Sequence, residues 1–130
     1  MSFELALILF GLTTVVALFV EVNFTYATQG FGYGWSNNRS QEVTFSPLAR
    51  RIKNAYQNQI ESAGYIVPVL AGAAMMGVEH AGAQTAAMLV VLGRAAYVPL
   101  YWANVPFARL PAFAAGVLGS IYIIYVMLTV

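Results

Sequence analysis

The chain contains no cysteine, and only 8% of its side chains are charged, six Lys and Arg against five Asp and Glu. Without cysteine there is no disulfide framework, no thiolate metal site and no enzyme-borne thiol nucleophile. Any thiol chemistry must therefore use a thiol carried by the substrate. The balance of +1 at pH 7 is too weak a field to suggest nucleic acid as a partner. The single histidine, His80, has no second His or Cys to share a metal with, so no metal site is expected. Ser-His-Asp sets, P-loops and HExxH pairs are also missing. Gly30, Gly32 and Gly34 are not a dinucleotide fingerprint, because no strand precedes them.

Against these absences, 60% of the 130 residues are hydrophobic and the mean hydropathy is +0.71. Soluble domains carry about 25% charged residues, so the solvent to consider first is a bilayer. Four spanning helices would use roughly 80 residues. That leaves room for connections and for no separate soluble catalytic domain.

Phe3 to Val20 is the first apolar run, and the pattern continues to about residue 24. A cleaved signal peptide is the competing reading, but the basic n-region and small-residue cleavage site are missing. From Thr25 to Phe45 the chain turns to Gly, Asn, Ser, Thr and Gln, a connection whose Phe31, Tyr33 and Trp35 suit the membrane interface. Ser46-Pro47 reads as an N-cap followed by proline at the first helical position. The predicted helices are about 3–24, 47–77, 83–103 and 108–130, one transmembrane domain over residues 1–130. Short second and third connections predict antiparallel neighbours, an all-α, integral membrane, up-down four-helix bundle. Arg39, Arg50, Arg51, Lys53 and Arg109 fall on loops one and three and their flanks, whereas Glu79 and His80 in loop two read as a solvated turn. The positive-inside rule then places loops one and three in the cytoplasm and both termini outside, as for a bacterial inner-membrane protein.

Arg51, Asn54, Asn58, Glu61 and Tyr65 recur at steps of three and four and so share a helical face. A polar row of this kind cannot face lipid without a cost of a few kcal/mol per charged group. It faces protein or a wet crevice, unless the first half of the helix simply projects into water. Arg94, Tyr97 and Tyr101 form a second such row. Arg94 lies inside a span, where an arginine needs a partner, and Glu61 is the nearest in depth. An inter-helix ion pair that only fixes register is the structural alternative. The tyrosines taken alone read as interfacial anchors. Arg109, just after Pro106, can hold a carboxylate or stabilise a thiolate, or serve only as a topology-setting charge.

Asn58-Gln59-Ile60-Glu61, then Gly93-Arg94-Ala95-Ala96-Tyr97 with Tyr101, then Pro106 before Arg109, together resemble the MAPEG family, the membrane-associated proteins in eicosanoid and glutathione metabolism. Asn38-Arg39 is similar to the Asn-Arg of its bacterial members. The resemblance implies a four-helix protomer of a homotrimer, with glutathione as cosubstrate bound between subunits near the cytoplasmic face. It also implies that Arg109 activates the glutathione thiol, and that Asn58, Glu61, Arg94, Tyr97 and Tyr101 hold the tripeptide. Asn54 and Gln57 stand where the family commonly has arginine.

Two readings follow. In the first, the protein is a membrane transferase or peroxidase acting on a small lipophilic electrophile that enters from the lipid. Arg109 and Tyr101 attend the thiol there, and Arg51, Asn54, Asn58, Glu61, Tyr65, Arg94 and Tyr97 are the binding set. In the second, it is a non-enzymatic membrane protein that binds an anionic amphiphile or acts as a scaffold. A transporter is disfavoured, since no inverted repeat is evident.

Overall fold

The computed structural model describes residues 1–30 and 46–130. The described residues form four helices and no strand: α1 Phe3–Gln29, α2 Pro47–Met75, α3 Ala81–Trp102 and α4 Pro106–Thr129. The polar stretch carrying Asn38, Arg39 and the interleaved aromatics lies outside the described residues. Three helices, α1, α3 and α4, are long and apolar enough to cross a membrane. The second helix is as long, at 29 residues, but its Arg50 to Glu61 half is polar.

Side chains fix most of the helix starts. Ser2 Oγ accepts from the Leu5 N–H at 3.1 Å, and Ser46 Oγ accepts from the Ala49 N–H at 3.1 Å with Pro47 as the first helical residue. His80 is no mere solvated turn residue: its Nδ1 accepts from the Ala83 N–H at 3.1 Å, and α3 begins at Ala81 rather than 83. The first helix also runs past residue 24 to Gln29. Asn23 and Thr28 each donate back to the carbonyl four residues earlier, Phe19 and Phe24, so these turn-forming side chains find partners within the helix. Ser46→Ala removes the cap that starts α2 and is expected to cost about 1 kcal/mol, read as a lowered melting temperature in detergent.

Contacts between helices give their directions. Lys53 meets Glu21 and Gln59 meets Thr14, so α1 and α2 run antiparallel. Arg51 meets Trp102 and Asn58 meets Arg94, so α2 and α3 do too. The space at Gly93 is closed by Ala112 and that at Gly119 by Val90, which makes α3 and α4 antiparallel. Helix α1 packs on α2 and α3, and α4 packs on the same pair, while α1 and α4 do not touch. In cross-section the bundle is a diamond whose short diagonal is the α2–α3 contact. Its core joins Phe3, Phe10, Ile66, Leu70, Val90 and Ile123.

Candidate functional site: a polar cleft over a buried arginine

Near the end of the bundle that carries Trp102, helices α2, α3 and α4 enclose a cleft of about 340 Å³. It is lined by Asn54, Gln57, Asn58 and Glu61 of α2, Tyr97 and Tyr101 of α3, and Arg109 of α4. Every lining group can make a hydrogen bond, in a chain that has few polar side chains to place.

The aromatic wall is a ladder. The Arg109 guanidinium lies 4.6 Å from the Tyr101 ring centre, Tyr101 lies 5.8 Å from Tyr97, and the Arg94 guanidinium is 4.4 Å from the Tyr97 ring. Both cations are within the range where an aromatic face attracts them, about 6 Å. Phe113 of α4 closes the wall at 6.0 Å from Tyr97. Arg109 is half-buried, and no carboxylate pairs with it among the described residues.

Arg94 is fully buried, with 0% of its surface exposed. The expected pairing with Glu61 is not formed. Arg94 Nη2 donates to Asn58 Oδ1 at 2.7 Å and Nε donates to Gln59 Oε1 at 3.2 Å. Gln59 Nε2 in turn donates to Thr14 Oγ1 of α1 at 3.0 Å, and that hydroxyl donates to the Phe10 carbonyl. Glu61 instead accepts from Gln57 at 3.4 Å and is exposed. The guanidinium is thus held by neutral amides, and among the described residues its Nη1 has no partner, nor does the Tyr65 hydroxyl. Amides satisfy donors but do not neutralise charge, so the buried cation remains uncompensated.

The sequence-derived residues divide accordingly. Asn54, Asn58, Glu61, Tyr97, Tyr101 and Arg109 meet in the cleft, and Arg94 stands behind Asn58. Tyr65 lies one recess further on, in a pocket of about 150 Å³ shared with Asn58, Glu61, Ser62 and Phe113. Arg51 is not in the cleft: it lines a separate depression with Pro47, Arg50, Asn54 and Asn104, and its Nε donates to the Trp102 carbonyl at 3.1 Å. The spacing of the row explains why its ends diverge. Positions 51, 54, 58, 61 and 65 repeat every 3.5 residues on average, and a straight helix drifts by about 20° per heptad against that repeat.

Phe113 was not singled out in the sequence, and Gln59 and Gln57 were named there, as part of a motif and as a departure from the family, but not in the binding set. Gln59 left a signal: Ile52, Ala55, Gln59, Ser62 and Ile66 are the buried face of α2, and a glutamine at a core position calls for a buried polar partner.

A family model for the MAPEG family matches residues 3–129, nearly the whole chain, and the chain belongs to that family. Membership supports an integral membrane protein of the glutathione- and eicosanoid-related class. Members of the family generally use glutathione and assemble as membrane trimers. Neither curated proteins nor solved structures give a match.

Proposed function

We propose that the protein is a membrane glutathione transferase or peroxidase whose site is the α2–α3–α4 cleft. The observation that carries this reading is the buried, uncompensated Arg94 behind a cleft of polar groups. A fully desolvated cation held only by amides is completed by an anionic ligand. Glutathione has two carboxylates, an ammonium group and a thiol, and the lining offers Arg109, Glu61, two phenols and several amides in reply. Asn58, fixed from behind by Arg94, would hold a carboxylate end, Glu61 the ammonium end, and Asn54 and Tyr97 the peptide between.

Arg109 and Tyr101 then attend the sulfur. A guanidinium beside a thiol favours the thiolate, the form that attacks, and the Tyr101 hydroxyl would donate to it. The thiolate attacks the electrophilic carbon, a bond from sulfur to carbon forms, and the leaving group departs with its electron pair. A lipophilic electrophile would enter from the bilayer. Asn54, Gln57 and Glu61 are exposed on the single protomer, which lipid does not tolerate well. Neighbouring copies in a homotrimer would cover them, with the basic end of the bundle in the cytoplasm and both termini on the other side.

The test is calorimetry of the purified protein with glutathione, together with a conjugation assay on an aryl halide. Arg109→Ala is expected to slow conjugation about ten- to hundredfold near neutral pH, the equivalent of one to two units of thiol pKa, with the loss shrinking as pH rises and the thiol ionises unaided. No binding heat, or unchanged turnover in the variant, would remove the proposal.

A further inference from the structure

The depression that takes Arg51 away from the glutathione cleft has features of a site in its own right. It measures about 390 Å³ and is bounded by Pro47, Arg50, Arg51 and Asn54 of α2 and by Asn104 of the α3–α4 turn. No carboxylate lines it among the described residues, in contrast to the next cation along α2, Lys53, which reaches Glu21 at 3.1 Å. Arg51 is tied at Nε to the Trp102 carbonyl, which fixes the plane of its guanidinium. Its two terminal nitrogens have no protein acceptor among the described residues. Asn104 holds a left-handed backbone at φ 58, uncommon outside glycine but tolerated by asparagine, and so puts an amide side chain on the rim.

We propose that this depression binds the phosphate of an anionic phospholipid headgroup. A planar guanidinium fork with a second arginine beside it matches phosphate oxygens. The level is also that of a headgroup, since α3 ends at Trp102 and α4 begins at Pro106, where the apolar spans stop. The immediate flanks separate a lipid from free phosphate. Leu48 is 39% exposed, Val105 37% and Phe107 88%, and each is next in sequence, or nearly so, to a residue bounding the depression. A cationic pocket with exposed apolar side chains close by in the chain, Leu48 next to Pro47 and Val105 next to Asn104, fits an amphiphile, whereas inorganic phosphate would gain nothing from them. This site is distinct from the glutathione cleft and shares only Asn54 with it, so each stands or falls without the other.

The experiment is a thermal melt of the purified full chain in a neutral detergent, titrated with phosphatidylglycerol, with phosphatidylcholine, or with inorganic phosphate. Phosphatidylglycerol is expected to raise the melting temperature by several degrees, and the other two to leave it unchanged. Arg50→Gln, an exposed position without a protein partner among the described residues, tests the site without disturbing the fold. Arg50→Gln with Arg51→Gln is expected to weaken the apparent affinity roughly tenfold to thirtyfold, from the usual contribution of each interfacial arginine. Arg109→Ala is expected to keep the full lipid response. An equal shift with inorganic phosphate or phosphatidylcholine, no shift with phosphatidylglycerol, or a full response in Arg50→Gln and in the double variant, each overturns the proposal.

Discussion

Gln59→Leu is expected to destabilise the folded chain by about 2–4 kcal/mol, more than the loss of the arginine it holds. Leucine keeps most of the volume but removes both halves of a buried relay, the acceptor for Arg94 Nε and the donor to Thr14 Oγ1. A hydrogen bond to a charged group contributes about 1.5–3 kcal/mol, and a buried donor left unsatisfied carries its full desolvation penalty. Thr14 loses less, because its hydroxyl still donates to the Phe10 carbonyl. In Arg94→Met the desolvated charge disappears with the side chain, which offsets part of the lost bonding. The double variant Gln59→Leu/Arg94→Met is therefore expected to recover most of the stability lost in Gln59→Leu alone. A strongly non-additive double-mutant cycle of melting curves is the signature. Additive losses would mean that the relay is not a coupled unit. Every variant without Arg94 should lose the heat of glutathione binding whatever its stability.

Gly93→Val should be about as damaging, by a different route. A Cβ at position 93 would sit 2.8 Å from the Ala112 carbonyl oxygen and 3.0 Å from the Ala115 Cβ. The first of these is backbone, so no rotamer change relieves the clash and α4 must move off α3. Overpacking of this kind costs about 1–3 kcal/mol and sometimes more, and the branched valine puts it at the upper end. Arg109 and Phe113 both ride on α4, so conjugation should fall together with the melting temperature. Gly64→Ala is the control, with nothing within 4 Å of its added Cβ. It should leave the chain unharmed or gain up to about 1 kcal/mol from helix propensity. Gly116→Ala falls between, since the nearest atom is the side-chain Cδ of Arg94 at 3.3 Å, which must give by a few tenths of an ångström.

The helices were legible because apolar runs and caps are local signals. Ser46-Pro47 marks the start of α2 in the sequence, and the cap is formed. The end of α1 was not legible, because the turn-like composition from Asn23 onward hides side chains, Asn23 and Thr28, that bond back along the helix. In the site, recurrence at three and four residues was enough to gather Asn54, Asn58 and Glu61, and Arg109 followed from its place after Pro106. The partner of Arg94 was hidden. Gln59 and Asn58 are adjacent in sequence but about 100° apart around α2, and which of those directions meets α3 depends on how the helices are rotated against each other. Charge alone pointed to Glu61, yet the amides stand closer. The separation of Arg51 from the cleft has a similar origin, a small angular drift accumulated along a regular spacing.

The diamond cross-section bears on how any reactant gets in. Helices α1 and α4 do not meet, and the middle of the protomer is occupied by α2 against α3 rather than by a lumen. A solute cannot be conducted along the axis of such a protomer. The polar cleft is instead a notch in the flank between α2, α3 and α4; in the proposed reaction one reactant would come from water at the basic end while the other would diffuse sideways within the bilayer. Under the proposed function, such a notch would serve a phase-boundary reaction rather than transport, bringing together two compounds that partition into different solvents.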